Sequence, residues 1–289
     1  MNKSLIAILA FCILSGWQGS AVSQSQAVCK FAPTSRISSR DQAKCFLRQV
    51  RRYGNLGPTL SSLPPTLDRL LGLPVIDLDR ETLRRYLKAQ KIQESEIGGS
   101  LDKPVSRANS NISSAELARY FIIHDTSTPN FQNGEFPTNI NDSRWGGNNL
   151  QTWTRNSLRA HVFVSRTGES VTAVNFQIPW RSTGYELEIC GDTCKGLFLG
   201  IEMVQPRRSD PQGRANNDAI APTPGFTDTQ LDRLALIYIA ASVRRGKWMI
   251  PAFHAAIDAE IEGGHDDPQN FNLNQWDERL NNLLVKIRS

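Results

Sequence analysis

Tyr120-Phe121-Ile122-Ile123-His124 reads as a buried strand, because it is apolar, aromatic or β-branched at every position until its last. A polar residue closing such a run would stand at a sheet edge, where side chains from several strands can build a site. Further along, Leu197-Phe-Leu-Gly-Ile-Glu-Met-Val204 reads as another inner strand, interrupted by Glu202. His161 to Val174 reads as a hairpin turning at Thr167-Gly168. Thr227 with Gln230 three residues on forms a capping box, and Leu231, Leu234, Ile237 and Ile239 continue that helix to about Arg245. A final amphipathic helix runs from about Asn274 to Ile287. Strands mixed with packed helices predict one α/β domain over residues 115–289, without an internal repeat.

The front of the chain has a different texture. Asp41 to Tyr53 reads as an amphipathic helix with Ala43, Phe46, Leu47 and Val50 on one side, and a second helix follows Pro64-Pro65. A third runs from Asp79, its cap, to about Gln93, with Leu83, Leu87 and Ile92 inside and Arg80, Arg84, Arg85, Lys88 and Lys91 outside. Residues 24–97 thus read as a small helical unit. Residues 98–114, with Gly98, Gly99, Pro104 and a Ser/Asn-rich run, read as a linker. Gln24 to Ala108 carries 15 Lys and Arg against 8 Asp and Glu, a net of +7, whereas Asn109 to Ser289 has 17 against 20, a net of −3. A basic front fits either a solvated helix face or contact with something anionic, such as a wall polymer or membrane surface. The long polar stretch from Asp125 to Arg159 reads as a functional surface loop.

The first 23 residues join Lys3 to an apolar run from Leu5 to Trp17 and then to small and polar residues, the pattern of a secretory signal cleaved after Ser23. The run is shorter than the roughly 20 apolar residues that span a bilayer, and no other segment is apolar enough to cross one. The mean hydropathy of −0.36 is ordinary for a water-soluble chain. Beyond the signal remain Cys29, Cys45, Cys190 and Cys194. In an oxidising compartment they suggest two local disulfides, Cys29 with Cys45 and Cys190 with Cys194; a metal knuckle at Cys190-Gly-Asp-Thr-Cys194 is the competing reading. Export to a periplasm or to the cell exterior follows as the expectation, and no nucleic-acid partner is expected.

All four histidines, His124, His161, His254 and His265, lie beyond residue 120, within the expected α/β domain, and His265 runs into Asp266-Asp267-Pro268. A catalytic zinc needs about three imidazole, thiolate or carboxylate ligands and leaves one position open, which scattered His with one Asp can supply. Glu202 adds a second signal. A carboxylate inside an apolar strand is costly unless it has a partner or a task, although a Glu on the open face of an edge strand would also fit.

Taken in order, Tyr120-Phe-Ile-Ile-His124-Asp-Thr-Ser, His161-Val-Phe-Val-Ser-Arg-Thr-Gly168, Gly200-Ile-Glu-Met-Val204, Phe253-His254 and His265-Asp-Asp-Pro268 resemble the zinc-dependent N-acetylmuramoyl-L-alanine amidases related to peptidoglycan recognition proteins. The resemblance covers roughly Ala115 to Ile287 and leaves the front unit outside. It implies a mixed central β-sheet flanked by helices and one zinc per chain. It also implies hydrolysis of the amide between N-acetylmuramic acid and the L-alanine of peptidoglycan or of soluble muropeptides. Carried over by position, His124, His254 and Asp267 are the implied zinc ligands and Glu202 the proton-transfer carboxylate. His265 stands where bacterial members often have Lys, so it could donate to the developing oxyanion. Alternatively, His265 is the third ligand and Asp267 supports it from behind; the Asp-Pro match favours the first arrangement.

Other departures bear on mechanism. Ala160 precedes His161 where some members have a catalytic Tyr, so proton transfer would run through Glu202, and His161 reads as a pocket or structural residue. The spacing from His254 to Asp267 is longer than in the bacterial enzymes. Trp145, Gly146, Gly147 and Asn148 would either line a substrate groove or close their loop on the core. Two other functions use the same residues: a peptidoglycan-binding module without catalysis, and a zinc peptidase acting on wall peptides. The absence of a His-Glu-x-x-His sequence weighs against the peptidase. The basic front unit is expected to dock on an anionic wall, bind an activator or cover the site.

Overall fold

The computed structural model describes residues 29–31, 37–108, 112–132, 134–156, 160–213 and 219–289; the expected signal segment, residues 1–23, lies outside them. In chain order the elements are α1 (Ser39–Phe46), α2 (Pro65–Leu70), α3 (Arg80–Gln90), β1 (Tyr120–Asp125), β2 (Asn130–Phe131), α4 (Leu150–Asn156), β3 (Val162–Val164), β4 (Ser170–Thr172), α5 (Gly184–Glu188), β5 (Phe198–Met203), β6 (Arg207–Ser209), β7 (Ala219–Ile220), α6 (Asp228–Arg245), β8 (Ile250–Phe253), α7 (His254–Ile257) and α8 (Leu273–Arg288), with short 3-10 turns between.

Five strands form a mixed sheet in the order β4-β3-β5-β1-β8, and β2, β6 and β7 form a small second sheet. In the main sheet β1 runs parallel to β5 and β8, β3 runs parallel to β5, and only β4 is antiparallel. Every residue of β1 and β5 is buried, as expected of parallel strands covered on both faces. Successive side chains of β1 show what covers each face. Tyr120 meets Phe46 of α1 edge to face at 5.7 Å, whereas Phe121 meets Tyr238 of α6 at 5.3 Å. Helices therefore flank a central sheet. Tyr238 in turn packs on Trp276 of α8 at 5.5 Å, which places α8 in the layer behind α6.

Local chemistry sets the ends of these elements. The Thr227 hydroxyl accepts from Gln230 N–H at 3.2 Å while Thr227 N–H donates to the Gln230 side chain, and Gly246, at φ +77°, closes α6 in the left-handed region. Asp79 caps α3 by accepting from Thr82 N–H at 2.7 Å. Helix α1 ends at Phe46, seven residues before the sequence expectation, because the chain leaves helical geometry and reaches left-handed Tyr53 (φ 60°) and Gly54 (φ 70°).

The front unit and the α/β part share one core. Phe46, Leu47, Leu67 and Leu83 belong to the same buried cluster as Phe121, Ile201 and Trp276. Asp277 of α8 caps α2, accepting from Thr66 N–H at 3.0 Å and Leu67 N–H at 2.8 Å. The segment read as a linker is a packed strap over its described part. Leu101 and Val105 are buried, Gly98 lies so close to the Phe176 ring that a Cβ would collide with it, and Arg244 donates to Gly98 O at 2.6 Å. Its Ser and Asn content concealed two apolar residues four apart. Part of the front charge is spent internally, since Arg84 pairs with Glu94 at 2.8 Å and with Asp102 at 2.6 Å.

Both expected cysteine pairs are adjacent, with Cα separations of 5.7 Å for Cys29–Cys45 and 5.7 Å for Cys190–Cys194, within the range a disulfide spans. Among the described residues no helix is long and apolar enough to cross a membrane.

His161 is a buried strut. Its Nδ1 accepts from Gly200 N–H at 3.1 Å, its Nε2 faces Ile178 O at 3.3 Å, and its main-chain N–H donates to Gly200 O at 2.9 Å. Burial pushes its pKa down from 6.5 to about 4. A depressed folded pKa means that its contribution to stability is present above pH 6.5 and is lost as pH falls towards about 4. At 1.36 kcal/mol per pKa unit the loss is about 3 kcal/mol. Asp125 and Glu186, raised by burial to about 6 and about 7, act in the opposite sense over the same window, so the comparison must be made against a variant. In urea unfolding of the metal-free protein at pH 7 and pH 4.5, His161→Gln should lose less stability on acidification than wild type. Equal losses would refute the assignment.

Candidate metal centre

The carboxyl ends of three parallel strands converge on the site, the usual place for ligands in α/β sheets. His124 is the penultimate residue of β1, Glu202 the penultimate residue of β5, and His254 follows β8 directly as the first residue of α7. His124 and Glu202 are register partners on adjacent strands, so their side chains leave the same face of the sheet. Asp267 arrives on the loop before α8, and its carbonyl accepts from Ala255 N–H at 2.9 Å.

His124, His254 and Asp267 converge. His124 Nδ1 lies 2.9 Å from His254 Nδ1 and 3.7 Å from Asp267 Oδ2, and His254 Nδ1 lies 3.0 Å from Asp267 Oδ1. All three residues are buried. Ligand atoms about 2.0–2.1 Å from a tetrahedral zinc are separated by about 3.3 Å, so these spacings fit a single small cation. The donor set fits it as well: two imidazoles and one carboxylate, with room for a fourth ligand.

The charges of the three groups follow from their burial and their mutual contacts. Burial lowers His124 well below 6.5, reinforced by repulsion from His254, so His124 is neutral and keeps a lone pair for a metal. Burial also disfavours charge on His254, but Asp267 and Asp258 overcome it and raise His254 to about 10. Asp267 is buried too, yet His254 holds it below the usual carboxylate range. In the metal-free protein a proton on His254 therefore offsets the carboxylate charge, at the place a cation would otherwise do so.

A surrounding layer of hydrogen bonds aims these groups. His254 Nε2 lies 2.8 Å from Asp258 Oδ2, and Asp258 also accepts from Gly184 N–H at 2.8 Å and Tyr185 N–H at 2.9 Å. With Nε2–H committed to Asp258, Nδ1 of His254 is free to ligate. Asp267 Oδ2 accepts from Asp125 N–H at 3.0 Å. The Asp125 carboxylate accepts from buried Arg207 at 2.7 Å and from Gln269 N–H at 3.1 Å, which fixes the loop just after Asp267. Asp258 and the Asp125–Arg207 pair were not singled out from sequence. The His254–Asp258 spacing of four residues was the available signal for the first, whereas the second joins two strands and is a tertiary fact.

His265 stands at the mouth. Its side chain is 62% exposed, its Nδ1 is 3.6 Å from Asp267 Oδ1, and its ring stacks on that of His254 at 4.1 Å. Packing against the site, then the proximity of His254, lower its pKa, so at neutral pH it would act as an uncharged N–H donor. His265 also belongs to a second possible donor group with His254 and Asp258, but that group would use the Nε2 already bound to Asp258.

Gly54 of the front unit packs on this loop, where a Cβ would lie 3.3 Å from His265 O. A cavity of about 320 Å³ opens beside His265 and is lined also by Tyr53, Ser127, Asn130, Arg207 and Asp266. A larger cavity of about 800 Å³ lies between Leu47, Pro64, Phe226 and Phe271, and none of the five candidate residues lines it. Donor chemistry rather than volume identifies the site. Trp145 closes its loop on the core, packed with Ile140 and Val204, and Asn148 ties that loop down by donating to Ile140 O at 3.0 Å and accepting from Arg166 N–H at 2.9 Å.

No family model matches the chain, and no curated protein sequence matches it. Among solved structures, a crystal structure of a Se-Met AmpD derivative aligns with a TM-score of 0.32 at 20% identity, covering 57% of this chain and 86% of that one.

Proposed function

We propose that the protein is an exported zinc-dependent N-acetylmuramoyl-L-alanine amidase that hydrolyses the bond between N-acetylmuramic acid and L-alanine in peptidoglycan or muropeptides. One observation carries the reading: His124 Nδ1, His254 Nδ1 and Asp267 Oδ2 lie within 3.7 Å of one another, with Glu202 beside His124 at the same end of the sheet. The ordered motifs that resemble the amidase family supply the substrate class, and the cysteine pairs support export.

His124, His254 and Asp267 would hold the cation. Zinc supplies a Lewis acid that polarises the scissile carbonyl and lowers the pKa of the attacking water from 15.7 towards about 7. The chain's own groups do the rest. The Glu202 carboxylate takes a proton from the water and returns it to the departing alanine nitrogen. His265, at the mouth, donates an N–H to the carbonyl oxygen as charge develops there. Asp258 holds His254 in the tautomer that ligates, and Asp125 holds Asp267 through its main-chain N–H.

The test uses purified full-length protein with purified sacculi and soluble muropeptides. One zinc per chain and release of intact stem peptides with new L-alanine amino termini are expected. Cleavage between amino acids of the stem would instead establish a peptidase, and metal binding with no new amino termini from any substrate would refute the enzyme reading.

A further inference from the structure

Among the described residues, three buried polar atoms near the candidate metal centre have no hydrogen-bond partner: His124 Nε2, Ser182 Oγ and Glu186 Oε1. Such orphans are rare in folded proteins and call for an explanation. Their chemical roles are complementary. If His124 ligates through Nδ1, which faces His254 and Asp267, its Nε2 carries the hydrogen and is a donor. A serine hydroxyl both accepts and donates, and a carboxylate oxygen accepts.

The backbone brings His124 Nε2 and the Ser182 hydroxyl against one point, Gly200, and places Glu186 on the same turn as Ser182. Gly200, in β5, has no side chain where one would collide with the Ser182 hydroxyl and come 3.2 Å from His124 Nε2. Glu186 folds back over the same turn, with its Oε2 accepting from Ser182 N–H at 3.0 Å and from the Thr183 hydroxyl at 3.1 Å. Its other oxygen is the one left without a partner. The turn is already tied to the second imidazole, because Asp258 bonds both His254 Nε2 and the Gly184 and Tyr185 N–H groups.

We propose that Ser182 is the positioning residue for His124 in the zinc-loaded protein: the Ser182 side chain turns so that its hydroxyl accepts from His124 Nε2–H and donates to Glu186 Oε1. The inference rests on the reading that His124 binds zinc through Nδ1. One turn, Ser182 to Glu186, then orients both ligating imidazoles, His124 through a hydroxyl and His254 through Asp258. Gly200 is required because any larger residue would occupy the place of the Ser182 hydroxyl.

The test measures zinc affinity by chelator competition, and protection of the His124 Nε2–H by ¹H–¹⁵N spectroscopy of the zinc-loaded protein. Ser182→Ala should weaken zinc binding by roughly 10- to 100-fold, the usual cost of losing such a partner, and should expose the Nε2–H to rapid exchange. Ser182→Thr, which keeps the hydroxyl, should restore both. Unchanged affinity in Ser182→Ala, a protected Nε2–H in that variant, or equal losses in Ala and Thr would each overturn the proposal while wild type still binds zinc. Wild type without stoichiometric zinc would overturn the metal reading itself, and this inference with it.

Discussion

Glu202→Gln should lower the rate of amide hydrolysis by about 10²- to 10⁴-fold, the usual contribution of a positioned proton-transfer group, while leaving the zinc content at one per chain. Gln preserves the length and volume of the side chain on β5, and the register neighbours His124 and Phe163 stay in place. The variant therefore separates proton transfer from metal binding and from folding. It also separates an enzyme from a binder. Sacculus binding equal to wild type with hydrolysis lost is the enzyme's signature, whereas wild type and variant that bind equally and both fail to hydrolyse would show a recognition module. A variant that retains full hydrolysis would remove Glu202 from the mechanism.

How far this centre could be read from sequence depends on the range of the interactions involved. Tyr120 to His124 and Leu197 to Val204 were legible as strands because parallel strands covered on both faces need unbroken apolar runs, and a polar residue inside such a run stands out. The pairing of His124 with Glu202 was not legible, since register between β1 and β5 depends on crossovers far apart in the chain. In residues 98–108 composition and packing part company: Gly and Ser suggest a linker, whereas Gly98 is needed for close approach to Phe176 and Ser106 donates to Gly196 O at 2.8 Å. Ser182 and Glu186 carried no signal at all, because neither belongs to an apolar pattern and their relation to His124 exists only after Gly200 is placed.

The front unit alters the picture of the site. A basic helical segment joined by a linker would be a separate module, free to search for a wall polymer. Here Arg52 pairs with Asp210 at 3.1 Å, the Tyr53 hydroxyl donates to the same carboxylate at 2.6 Å, and Gly54 lies against the loop carrying His265. The left-handed pair Tyr53-Gly54 makes that approach possible. The unit thus braces the loop carrying His265 and Asp267 and lends Tyr53 to the cavity beside it, so its removal would disturb the candidate metal centre and not merely substrate recruitment.

The choice of third ligand gives the other large effect. Asp267→Asn should weaken zinc binding by about 100-fold or more, whereas His265→Ala should leave it nearly unchanged and reduce only the hydrolysis rate. Structural zinc sites with four ligands bind with roughly 10–16 kcal/mol, so one ligand is worth about 3 kcal/mol, or two orders of magnitude in affinity. Asp267 is buried with an oxygen 3.0 Å from His254 Nδ1, while His265 is 62% exposed and stacks on the outside of that ring. Asn keeps an oxygen for Asp125 N–H, so the loop has no new reason to unfold. The pH dependence supplies an internal control. His254 is raised to about 10 in the metal-free protein, so zinc must displace its proton at any lower pH. Apparent zinc affinity of wild type should therefore rise about tenfold per pH unit through the neutral range, with close to one proton released per zinc. With Asp267 neutral the main attraction on that proton is gone, and the pH slope in Asp267→Asn should flatten. The reverse pattern, zinc lost in His265→Ala and retained in Asp267→Asn, would make His265 the ligand and Asp267 its support.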